Sequence, residues 1–86
     1  MNPILIDALI DLLAFLELSG DDVVNPDSAV QAMESAAATL QKLSPEDRRV
    51  FIDHLHHQTD VQRKRGADQE RVKFLESLAG NIGLNE

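Results

Sequence analysis

From Ile4 to Leu18 nearly every position is apolar, and only Asp7, Asp11 and Glu17 break the run. Asp7 and Asp11 stand one helical turn apart, so a helix wound from this segment has a narrow polar stripe and a very wide apolar one. Asn2-Pro3 supplies a cap and a first-turn proline in front of it, and Ser19-Gly20 a stop behind it. The pattern predicts a helix over 3–18 that is either central to the fold or shared with a second copy of the chain. Ile4, Leu5, Leu9, Leu12 and Leu16 are the candidate dimer seam, because one narrow groove in so short a chain would not cover them.

The same start signal returns at Asn25-Pro26-Asp27 and at Ser44-Pro45-Glu46-Asp47. The first opens a helix over 26–42, where Val30, Met33, Ala37 and Leu40 form one apolar seam at spacings of three and four. Alanines at 29, 32, 36 and 38 broaden that seam and allow close helix approach. The second opens a helix over 45–64, apolar through Val50, Phe51, Ile52 and Leu55 and ended by Arg63-Lys64-Arg65 before Gly66. A fourth helix is expected over 68–81, with Val72, Leu75, Ala79 and Ile82 as its seam and Phe74 and Leu78 beside it. Gly80 and Gly83 loosen its end, so residues 83–86 should fray.

No run alternates with period two, and no Asn-Gly hairpin signal occurs. The expected fold is therefore all-α. It is a single domain, 1–86, arranged as a compact four-helix antiparallel bundle with the first helix available for dimerisation. The apolar share of 43% and charged share of 27% suit a folded globular chain, and the length is that of one domain. With no cysteine, the chain cannot be a disulfide scaffold, a cysteine-ligated zinc or iron–sulfur protein, or a thiol enzyme.

Charge changes the picture more through its distribution than through its net value of -7. Residues 1–41 hold Asp7, Asp11, Glu17, Asp21, Asp22, Asp27 and Glu34 and no lysine or arginine, whereas acids and bases balance in residues 42–86. Such a field repels nucleic acid and anionic lipid and draws in cationic partners. Asp7, Asp11, Asp21, Asp22 and Asp27 are accordingly the candidate partner-binding residues. The apolar run is too short, and too interrupted by aspartate, to cross a bilayer. No basic residue precedes it as in a secretory signal, so a cytoplasmic location is expected.

Other constellations point less far. His54, His56 and His57 with Asp53 and Asp60 could supply a nitrogen–oxygen metal pair, since His56–Asp60 and Asp53–His57 are each one turn apart. A zinc site needs three or four ligands, and no fourth histidine or His-Glu-x-x-His pattern completes the set. The plainer expectation is that His54 and His57 flank the apolar seam between Val50 and Val61 while His56 faces out. The segment SGDDVVNPDS (19–28) is rich in oxygen ligands but puts proline where a calcium loop needs glycine, and lacks the closing glutamate. Arg63-Lys64-Arg65 reads as a solvated helix end in an acidic chain with no aromatic platform for bases. Neither a phosphate-binding glycine loop nor a Gly-x-Ser-x-Gly elbow is present.

The expected function is a small acidic, non-enzymatic interaction domain that binds a basic protein, of a toxin-neutralising or regulatory type, with no cofactor and no metal. The alternative is a homodimeric structural protein without a ligand site. A metal-binding protein using His54, His56 and His57 ranks third.

Overall fold

Four side chains begin the four helices. In the computed structural model, which describes residues 2–66 and 68–84, the Asn2 carboxamide oxygen accepts from the backbone N–H of Ile4 at 2.7 Å. Asn25 accepts from Ser28 at 3.1 Å, Ser44 from Asp47 at 3.1 Å, and Asp68 from Glu70 at 2.7 Å. Each satisfies a backbone donor that the first helical turn leaves unpaired, and Pro3, Pro26 and Pro45 follow three of the caps where no N–H is needed. The resulting elements are α1 (Pro3–Leu18), α2 (Pro26–Leu40), α3 (Pro45–Lys64) and α4 (Gln69–Asn81), with no strand among the described residues.

The ends differ from expectation in three places. Ser19, not Gly20, stops α1 by turning extended, and the only glycines at positive φ are Gly66 (68°) and Gly83 (74°). Helix α2 stops at Leu40 rather than 42, since the N–H groups of Lys42 and Leu43 bond three residues back to Thr39 and Leu40 in a tighter turn. Fraying from residue 83 is not seen at Gly83 or Leu84. Gly83 in the left-handed region lets the Leu84 N–H donate to the Ala79 carbonyl at 2.8 Å, and the Leu84 side chain is buried. Asn85 and Glu86, the rest of the segment expected to fray, lie outside the described residues, as does Ala67.

One face of α1, carrying Ile6, Ile10, Leu13 and Ala14, enters the core. There it meets Leu40 from α2, Phe51 and Leu55 from α3, and Phe74, Leu75, Leu78 and Ala79 from α4, with Ile82 and Leu84 closing the end. Side chains this deeply buried each contribute about 1.5–3 kcal/mol of transfer free energy, offset by the entropy of ordering the chain. Helix α1 packs against all three other helices and α3 pairs with α4, while α2 makes helix-to-helix contact with α1 alone.

The seam of α2 is rotated from its expected position. Ala29 and Leu40 are buried and Met33, Ala36 and Ala37 pack on the core, but Val30 points outward. Alanines therefore pack inward beside Met33 and Leu40, and Val30 is left half exposed. Two polar links hold the far end of α2. The Gln41 side chain donates to the Ile82 carbonyl at 3.4 Å, and the Arg48 guanidinium donates to the Gln41 carbonyl. The one buried polar side chain described, Thr59, donates its hydroxyl to the Leu55 carbonyl at 2.9 Å, so it costs the core no unpaired group.

Candidate protein-interaction surface

The face of α1 opposite its core stripe is also apolar. Ile4, Leu5, Leu12 and Phe15 are 75%, 65%, 63% and 53% exposed, and Ala8 lies among them on the same stripe. The spacing 4–8–12–15 follows one line along a helix, so these side chains form a continuous strip. Leu18, Val23 and Val30 extend the exposed apolar set toward α2. Every large apolar side chain found exposed among the described residues thus belongs to the half of the chain that has no base.

Of the residues considered as a dimer seam, Ile4, Leu5 and Leu12 face outward, whereas Leu9 is partly buried against the core and Leu16 lines a groove beside α2. Phe15 was missing from that set, although it falls three residues beyond Leu12 and away from Ile10 and Ala14.

The acidic candidates divide into two groups. Asp7 and Asp11 have partners within the chain. His54 Nε2 lies 2.6 Å from Asp7 Oδ1, linking α3 to α1, and Arg71 donates to Asp11 Oδ1 at 2.8 Å, linking α4 to α1. Both carboxylates bridge helices while remaining partly in solvent, at 48% exposure for Asp7 and 71% for Asp11. Asp21, Asp22 and Asp27 are exposed around the α1–α2 connection. Val23 and Val24 both donate to the Gly20 carbonyl there, and Asp22 lies over Gly20 so closely that a Cβ on Gly20 would stand 2.6 Å from its Oδ1. Asp27 sits in the first turn of α2, where the helix dipole favours it.

Between the C-terminal end of α1 and α2 runs an open groove of about 540 Å³. Leu16, Ala29, Val30, Met33 and Ala37 supply much of its apolar wall, and Glu17 and Glu34 are the only charged residues lining it among the described residues. A second, shallower depression of about 480 Å³ holds His56, Thr59, Asp60, Arg63 and Glu76. Arg63 lies 2.6 Å from Glu76 and 3.7 Å from Asp60. Its guanidinium pKa is raised, first by the hydrogen bond to Glu76 and then by that carboxylate's charge.

The histidines do not converge. His54 turns inward to Asp7, whereas His57, expected at the seam, is exposed. The His54 and His57 rings are tilted, with centroids 6.2 Å apart, and His56 faces the depression beside Arg63. Among the described residues no three histidine, aspartate or glutamate side chains are grouped to hold a metal ion. No helix there is long and apolar enough to cross a membrane. Comparison of the chain with family models, with curated proteins and with solved structures finds no match.

Proposed function

We propose that this chain is a non-enzymatic protein-interaction domain whose acidic half binds a basic protein, acting by neutralising or sequestering it. The observation that carries the reading is the coincidence of two properties in one half of the molecule. Residues 1–41 contain no base, and the exposed apolar side chains from Ile4 to Val30 lie in that same segment. Apolar contact supplies affinity once water is displaced, and surrounding carboxylates steer the encounter and set the register. With Asp7 beside His54 and Asp11 beside Arg71, the unpaired charge of this surface is carried by Asp21, Asp22 and Asp27 together with Glu17 and Glu34.

The test is capture of partners from the native host at low and high salt, with the wild type and two variants. A basic protein should be captured, less of it at high salt. Asp21→Asn with Asp22→Asn should weaken capture, and Leu12→Ser with Phe15→Ser should abolish it. Capture indifferent to salt and to both variants removes the reading.

The outward strip on α1 favours a second reading, a homodimer through Ile4, Leu5, Leu12 and Phe15. Sedimentation equilibrium decides it: a dimer that dissociates on Leu12→Asp supports self-association, and a strict monomer at high micromolar concentration eliminates it.

A further inference from the structure

We propose that the groove between α1 and α2 takes a helical peptide segment of the partner that carries an apolar side chain flanked by lysine or arginine. This rests on the interaction reading above and names the chemistry of one contact within it.

The groove has an apolar floor and an anionic rim. Met33 lies on its α2 side between Ala29 and Ala37, an unbranched and polarizable side chain that adapts to the shape of an incoming group. Glu17 from α1 and Glu34 from α2 stand at the edge on two different helices, both exposed, and neither is paired with a base among the described residues. The backbone adds to the same field. The last turns of α1 and α4 contain no basic residue, and both helix ends contribute to the lining, through Ser19 and Asn81. Helix C-termini are negative poles, so two of them beside two carboxylates favour a cation. The opposite pole of α2 also reaches the groove at Pro26, but Asp27 in its first turn complements it.

An anionic or purely apolar occupant would leave Glu17 and Glu34 repelled or without a partner. An amphipathic cationic helix answers both features, laying its apolar side into the groove with bases at the edge. A second copy of this chain is a poorer fit. The apolar residue one turn before its basic run Arg63-Lys64-Arg65, Val61, is partly buried in the fold, and Arg63 is held by Glu76 and Asp60.

The chain has two methionines, so a spectrum of methyl-labelled methionine contains two signals, and Met33 reports from the groove. The probe is a synthetic amphipathic helical peptide of leucine and lysine, with a glutamate-for-lysine counterpart as control. The lysine peptide should shift the Met33 methyl saturably, and the glutamate peptide should not. Glu17→Gln with Glu34→Gln should weaken binding about tenfold, whereas Asp21→Asn with Asp22→Asn, an equal change in charge, should weaken it far less. Circular dichroism confirms that both variants keep their helices.

Binding that leaves the Met33 methyl unmoved, or that both double variants weaken equally, overturns the groove while leaving the acidic half as a binding surface. A Met33 shift that depends on protein concentration without peptide overturns it in favour of self-association. Failure of the lysine peptide to bind anywhere on the protein overturns both the groove and the broader reading.

Discussion

Leu12 and Phe51 are large apolar residues on helices of the same molecule, and opposite consequences follow from replacing them. Phe51 is fully buried, so Phe51→Ala leaves a cavity and should lower the unfolding free energy by about 3–5 kcal/mol. Leu12 is mostly in water, and Leu12→Ser should change stability by no more than about 0.5 kcal/mol. Urea denaturation of the two variants checks the contrast. A large loss on Leu12→Ser would mean that the outer strip of α1 supports the fold and is not spare surface.

The two braces on α1 can be ranked in the same way. A double-mutant cycle on Asp7 and His54 should give a coupling of about 0.5–1.5 kcal/mol, because the imidazole is largely shielded and the contact is short. The Asp11–Arg71 pair is more open, and its coupling should fall within about 0.2–1 kcal/mol and shrink as salt is added. Neither brace was legible in the sequence. Forty-seven residues separate Asp7 from His54, and their meeting depends on how α3 is rotated against α1, which periodicity alone does not specify. Counted along the sequence, Asp7 and Asp11 are free charge, yet each lies against a residue from the other half of the chain.

At the scale of elements, the local signals were strong. Asparagine or serine before proline marks three helix starts, and the apolar seam of α4 from Val72 to Ile82 is buried throughout. Weaker were the places where two readings of a pattern compete. In α2 the alanines offer several possible seams, and the one that packs inward carries Ala29, Met33, Ala36, Ala37 and Leu40, with Val30 outside it. At the end of α4, Gly83 suggested looseness, but its positive φ is what returns Leu84 to the core.

Helix α2 differs from the others in its support. It contacts only α1 among the helices and buries only Ala29 and Leu40. Low burial lowers the free energy of local opening. Hydrogen exchange should therefore be faster along α2 than in the paired centres of α3 and α4. Equal protection across all four helices would show that α2 opens only with the whole fold. A helix that yields more easily beside the groove also lets Met33 adjust to an occupant.

At the scale of the whole molecule, charge and burial divide the chain in related ways. The half with balanced charge supplies α3 and α4, which pair with each other, and the base-free half supplies α1 and α2. The charge asymmetry could be read by counting along the sequence. That the exposed apolar surface would fall in the same half could not, because the width of the apolar stripe on α1 says how much surface needs cover but not which part the other helices cover. Ile6, Ile10 and Leu13 receive that cover, while Ile4, Leu12 and Phe15 do not.

The bare strip on α1 has a colloidal consequence. Near neutral pH, mutual repulsion between highly anionic molecules keeps one strip from sticking to the next. As the medium is acidified toward the isoelectric point, about pH 4.7, the net charge and with it that barrier disappear while the greasy ridge remains. Light scattering should then rise steeply, clear again on neutralisation, and be much reduced when Leu12 and Phe15 are replaced by serine. Haze of equal strength in that double variant would show that some other part of the exterior makes the molecules cohere.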